Sequence, residues 1–114
     1  MSTIAIYSQK GESMDYTNAT TSTIKAGEAL LVGHRIGIAG GDINPGEVGS
    51  LIVKGVFKIP KMNDSTACAQ GEPVYWDTDT AKVTSVAGEL ICVGSSFAPA
   101  AADAEYIEVA INEK

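Results

Sequence analysis

The chain of 114 residues has room for one domain with a modest core. Charged residues make up 19% of it, and the net charge of −6 comes from the second half: residues 1–61 carry six basic and five acidic side chains, residues 62–114 two and nine. With one arginine, Arg35, and no cluster of lysines, there is no basic patch to neutralise phosphates, which argues against direct binding of DNA or RNA.

Gly and Pro punctuate the sequence at short intervals, and short β-branched runs recur between them. Residues 4–9, from Ile4 to Gln9, read as a first strand that stops near Gly11. The hydroxyl-rich residues 17–23 have nothing to bury and read as an extended arm or loop. Residues 29–33 and 35–39 are expected strands, joined or kinked at Gly33-His34. The glycines of 40–47, with Asn44-Pro45-Gly46, fix a tight turn. Residues 48–53 and 55–59 form a strand pair ended by Pro60, and 65–70 fit one short helical turn. Residues 73–76 and 81–84 are strands around the turn Asp77-Thr78-Asp79-Thr80. Residues 90–94 and 106–111 close the set, with an alanine-rich loop over 98–104. In the last strand Ile107, Val109 and Ile111 share one face, with Tyr106, Glu108 and Ala110 on the other.

About eight to ten short strands at near-regular spacing predict an all-β fold, a small single-domain β-barrel or β-sandwich with an N-terminal extended segment. The chain divides into residues 1–23, a strand or arm plus the Thr-rich loop, and residues 24–114, the β-domain. No apolar run reaches the ~18 residues that span a bilayer. The start, Met1 to Ile6, lacks the charge and long apolar stretch of a signal peptide, so synthesis in a cytoplasm is the expectation. In that compartment Cys68 and Cys92 are expected as buried thiols rather than a disulfide.

The sequence gives catalysis little to work with. His34 is the one histidine, no nucleophile elbow accompanies it, and it reads as structural or surface. Cys68 and Cys92 lack Cys-x-x-Cys spacing, which argues against a closed zinc site. Asp77 and Asp79 fit a hairpin turn better than a cation loop, because no bidentate Glu follows at the required distance. Gly40-Gly41-Asp42 is not followed by Gly-Lys-Ser/Thr, so nucleotide binding is not expected. Trp76 reads as core, and its neighbour Tyr75, on the opposite face of the same strand, as an exposed contact. The expected protein is not an enzyme and needs no cofactor or metal.

Several segments, in order, resemble a family of tailed-phage capsid cement or decoration proteins. Gly71-Glu72-Pro73-Val74-Tyr75-Trp76-Asp77 is similar to the family's Gly-acidic-x-Val-Tyr-Trp-Asp stretch. Residues 24–33 resemble its entry to the core, and Arg35-Ile36-Gly37-Ile38-Ala39 its x-Val-Gly-Val-Ala strand. Gly46-Glu47 through Gly55-Val56 and on to Ile59-Pro60-Lys61 resembles its Gly-Glu … Gly-Val-x-x-Leu-Pro-Lys pattern. The resemblance covers residues 24 to 111, and the sequence departs at Cys92-Val93-Gly94, where Gly-Val-Ala is more usual. A recombinase-like label is sometimes attached to such relatives; this sequence lacks the phosphate loop that activity needs. The resemblance implies a structural protein on the exterior of the virion, bound to the major capsid protein, that stabilises the lattice. It also implies self-association, with a trimer preferred over a dimer.

A head-fibre or glycan-binding β-module is the alternative from another class, and it would need exposed aromatics in a groove. Candidate contacts to a capsid or a neighbouring subunit are Ile4, Ile6, Tyr7, Tyr16 and Tyr75. The first segment has two possible placements, completing its own barrel or adding to an exposed strand edge elsewhere. Thermal melts with chelator, calcium, zinc or ATP are expected to superimpose on the untreated melt. A shift of several degrees with any of them would revive a cation or nucleotide site.

Overall fold

The computed structural model describes residues 3–64 and 66–114. Nine strands follow in chain order: β1 (Ser13–Thr17), β2 (Ala29–Val32), β3 (Arg35–Ala39), β4 (Val48–Ile52), β5 (Val56–Pro60), β6 (Pro73–Asp77), β7 (Lys82–Thr84), β8 (Ile91–Ser96) and β9 (Tyr106–Ile111). They form an antiparallel four-stranded sheet, β1-β4-β3-β2, and a five-stranded sheet, β5-β9-β8-β6-β7. The all-β expectation holds, with no helix among the described residues.

Three local expectations are corrected. The first is the strand pair over 48–53 and 55–59: β4 pairs with β1 and β3, and β5 with β9 in the other sheet, so the two consecutive strands do not pair. Residues 4–9 are not a strand; the first strand is β1, which pairs in full with β4 from Ser13↔Ile52 to Thr17↔Val48. Apolar alternation alone does not make a strand, because a strand needs a ladder partner. Met14 and Tyr16 gain one by packing on the sheet's apolar face, whereas Ile4 and Ile6 remain in solvent. The helical turn expected over 65–70 is absent from its described residues, 66–70; Cys68 instead exchanges two backbone hydrogen bonds with Ala100. Ser65 lies outside the described residues.

Both faces of the first sheet are apolar, and each is covered differently. Ile36 and Ile38 of β3, with Ala29, Leu31 and Ile52, turn inward to the second sheet and join its core of Val74, Trp76, Val83, Val93, Ile107, Val109 and Ile111. Each such side chain contributes roughly 1.5–3 kcal/mol by leaving water. On the opposite face Leu30, Val32, Leu51 and Ala39 are capped by Ile24 and Ile43. These two come from the β1–β2 and β3–β4 loops, which pair with each other through Ile24↔Ile43. Gly49 permits the cap, since a Cβ there would run into the Ile43 side chain.

The Thr-rich loop is therefore not idle. Asn18 is fully buried within it, donating from Nδ2 to the carbonyls of Ser22 and Ile43, both at 2.8 Å. Its Oδ1 accepts from the Thr20 N–H and hydroxyl. The first sheet and its cover thus draw on residues 13–23, while residues 3–12 lie outside every strand.

The second sheet curls until its outer strands meet. Lys61, just past β5, bridges Val83 of β7 in parallel, and the Met62 N–H donates to the Val83 carbonyl at 2.8 Å. The result is a small five-stranded barrel. Gly94 is required where β8 and β9 come closest, because a Cβ there would collide with the Ala110 carbonyl oxygen. Of the two departures from Gly-Val-Ala, Cys92 and Gly94, the second thus has a steric reason.

Barrel and first sheet are joined at Asn112. The strands β3 and β4 pair only at Ile38↔Ile52 and Ala39↔Leu51, then separate. The Asn112 side chain enters the gap: Nδ2 donates to the carbonyls of Ile36 and Val53, each at 2.8 Å, and Oδ1 accepts from the Ile36 N–H at 2.9 Å. Its φ of 61° is left-handed, a conformation Asn tolerates better than most residues. Asn112→Ala is expected to lower unfolding free energy by about 2–4 kcal/mol, since it orphans main-chain groups of the fully buried Ile36. Asn112→Gly should recover about 1 kcal/mol of that through the backbone. Chemical denaturation of the three proteins measures both; a loss under ~1 kcal/mol in the Ala variant would contradict the joining role.

Candidate functional site

The residues expected to make contacts do not converge. Ile4, Ile6 and Tyr7 lie on the extended first segment with 86%, 89% and 79% of their surface exposed. Tyr16 on β1 is half-buried against the capped face of the first sheet, and Tyr75 on β6 is half-buried in the barrel wall. Only the first three lie on one segment. The neighbouring Trp76 is buried in the core, as its place in the strand predicts.

The candidate chemical groups lie apart. His34 occupies the exposed two-residue turn between β2 and β3, where Gly33 supplies a φ of 62°. Lys114 donates to the His34 carbonyl at 2.7 Å, so His34, Arg35 and Lys114 form a basic tip beside Asn112. Asp77 accepts the Asp79 N–H at 2.9 Å, closing the β6–β7 turn through a side chain. Cys68 is a buried free thiol, and Cys92 a half-buried one. Among the described residues no three His, Cys, Asp or Glu side chains are grouped to hold a metal ion.

Two features escaped the sequence reading. One is an outward patch on the barrel, where Val56, Pro60 and Tyr106 lie along β5 and β9 and Phe97 follows β8, all exposed. Lys58 and Glu108 stand opposite each other at its centre. The alternation of Tyr106, Glu108 and Ala110 was the available signal for an outward face, but it does not say which residues of other strands join it. The other is a buried lysine. The Lys61 amine donates to the carbonyls of Met62 and Ala102, both at 2.9 Å, and meets Asp64 at 3.3 Å. Asp64 also accepts from the Thr84 hydroxyl and the Thr66 N–H.

This cluster ties β5 to β7 and to the 98–104 loop, at the place where the barrel closes. Burial pushes the Asp64 pKa up, but hydrogen bonds from Thr84, Thr66 and Lys61 and the Lys61 charge outweigh it, holding the carboxyl below its ordinary value. The arrangement is a structural clamp.

The chain belongs to the phage cement protein family: the model of that family matches residues 8–111. It is thus a structural protein of the phage capsid, associated with that shell in the virion. No match was found among curated proteins or among solved structures.

A depressed carboxyl pKa adds stability that is present above the unfolded value and is lost as pH falls through the folded one. For Asp64 the window lies below the ordinary 3.8. Acid unfolding should therefore be steeper for the natural chain than for Asp64→Asn, which is also expected to be the less stable protein at neutral pH. Equal slopes below pH 3.8 would remove Asp64 from the acid response.

Proposed function

We propose that the protein binds the outer surface of an assembled phage head as a homo-oligomer, a trimer in preference to a dimer, and stabilises the lattice there. The major capsid protein is its partner, and no nucleic acid, membrane or catalytic step is involved. The observation that carries this reading is the family match across residues 8–111 together with a first segment whose apolar side chains are left in solvent. A monomeric soluble protein rarely leaves adjoining large apolar side chains so exposed without a partner to receive them.

The contacts assigned to this role are Ile4, Ile6 and Tyr7, with Tyr16 and Tyr75 as flanking aromatics. Rotational symmetry closes most homo-oligomers, and a threefold arrangement suits a protein that sits where capsomers meet. The four tyrosines are dispersed over the first segment, the first sheet and the barrel, so they do not build the aromatic groove of a glycan-binding module.

Cosedimentation with purified capsids lacking the protein tests the reading. Saturable binding to intact capsids is expected, with density on the exterior by electron microscopy. Deletion of residues 1–10 should abolish most of the binding, while the circular dichroism spectrum remains that of a β-protein. Absence of saturable binding by the natural chain would defeat the proposal. Full binding by the truncated chain would defeat the role given to Ile4, Ile6 and Tyr7.

A further inference from the structure

We propose that the first segment of one copy adds as a strand to the free edge of β2 in a second copy, which deepens the self-association proposed above and is testable without capsids. The acceptor is defined by the register of β2 and β3. Around the two-residue turn, Val32↔Arg35 and Leu30↔Gly37 are the hydrogen-bonded pairs, so Leu31↔Ile36 and Ala29↔Ile38 are the open ones. The bonds of Ile36 to Asn112, on the side away from β2, show that phase directly. The N–H and C=O groups of Ala29 and Leu31 therefore point out of the sheet, and no backbone partner meets them among the described residues.

An edge of this kind is normally guarded by charge, proline or a bulge. The opposite edge, β1, carries Asp15. Strand β2 is Ala-Leu-Leu-Val, with none of these guards.

Apolar clefts flank the same edge on its barrel side. One, of about 510 Å³, is bordered by Ala29 and Trp76; the other, of about 200 Å³, by Leu31 and Trp76. Ala29 and Leu31 are two residues apart, which sets the clefts roughly 7 Å from each other along the strand. Ile4 and Ile6 have that same spacing on one face of an extended chain. A strand laid against β2 would place one isoleucine in each cleft and turn Ala5 and Tyr7 to the opposite face, beside Leu30 and Val32. Charge agrees: residues 3–11 contain one ionisable cation, Lys10, and the cleft rims hold Glu28, Asp77, Asp79 and Glu89 against a lone Lys58.

The donor is a second copy because of where the segment leaves the sheet. It departs from Ser13 of β1, at the far edge from β2, in a row that runs Ser13, Ile52, Ile38, Ala29. A strand beyond β2 lies about four strand spacings away, roughly 19 Å. Glu12 is held at that far edge by the Val53 N–H at 2.9 Å. The chain's own Ile6 would therefore have to spend nearly all of its reach, about 25 Å to Ser13, passing round the sheet. In its own molecule Ile4 and Ile6 lie in solvent rather than in the clefts.

Sedimentation equilibrium and residue-resolved hydrogen exchange on the isolated full chain test the proposal. Two variants accompany it: deletion of residues 3–9, and Ala29→Pro, which removes an outward donor that the chain's own sheet does not use. The full chain should be oligomeric, with slow exchange at Ala29 and Leu31. Both variants should be monomeric, and in the deletion those amides should exchange roughly tenfold faster or more. Retained β-spectra and cooperative melts in the variants distinguish loss of assembly from loss of fold. An oligomer that survives the deletion, a full chain that is monomeric with fast amides, or a monomer in which they are protected would each overturn the exchange between copies. A monomeric full chain would also remove the homo-oligomer from the proposed function, whereas capsid binding itself is decided separately by the cosedimentation.

Discussion

Ile36 lies at the centre of the molecule with its main-chain groups turned away from β2, and the side chain of Asn112 is what they meet. A four-stranded sheet this short cannot remain flat against a curled barrel. Its strands twist, and β3 and β4 part after two paired residues. The parting would leave buried N–H and C=O groups without partners, at a cost of about 1–3 kcal/mol each. An asparagine side chain has the donor and acceptor geometry of a peptide group, so one residue from the end of β9 stands in for the missing strand. Everything the two sheets bury between them depends on that joint holding.

Lys61 solves the matching problem on the other sheet. The barrel closes only if the chain past β5 lies beside β7, and the amine fixes that crossing by serving two carbonyls and one carboxylate. A charge so deeply buried is tolerated because every one of its directions is answered. Closure removes β5 and β7 as free edges. Among the described residues what remains open is the pair of edges on the first sheet, and only one of those carries a charge along its strand. The places left for backbone-mediated association are thus set by how the fold was closed.

Much of this was legible in the sequence where period and punctuation agree. The strand over 106–111 is reproduced residue for residue, because its alternation is unbroken and its neighbours are loops. The hairpin of β6 and β7 followed from the Asp77-Thr78-Asp79-Thr80 turn, which the Asp77 side chain closes by accepting the Asp79 N–H. The first strand was misplaced because Ile4 to Tyr7 satisfies propensity, whereas Ser13–Thr17 satisfies pairing, and pairing is a tertiary fact. Asn18 looked like one more polar loop residue; its burial depends on Ile43, 25 residues away. The Pro60-Lys61 step was seen as part of a motif, but a lysine read from sequence is assigned to the surface by default. For the candidate contacts, exposure is set by packing that sequence does not show: Ile4, Ile6 and Tyr7, expected on a strand, are exposed outside every strand, whereas Tyr16 and Tyr75 are half-buried.

The energetics of strand addition decide which groups would drive it. Ordering an extended segment costs roughly 1–2 kcal/mol for each residue fixed. A main-chain hydrogen bond returns only about 0.5–1.5 kcal/mol net, so the ladder along β2 cannot by itself hold a flexible arm. The balance then rests on Ile4 and Ile6, each worth roughly 1.5–3 kcal/mol when buried. That is a marginal interaction between two molecules. In a closed ring the last exchange occurs within one assembly, at an effective concentration set by the short link of residues 10–12 rather than by bulk dilution. Weak individual contacts that become firm only on closure would suit the lattice binding proposed above.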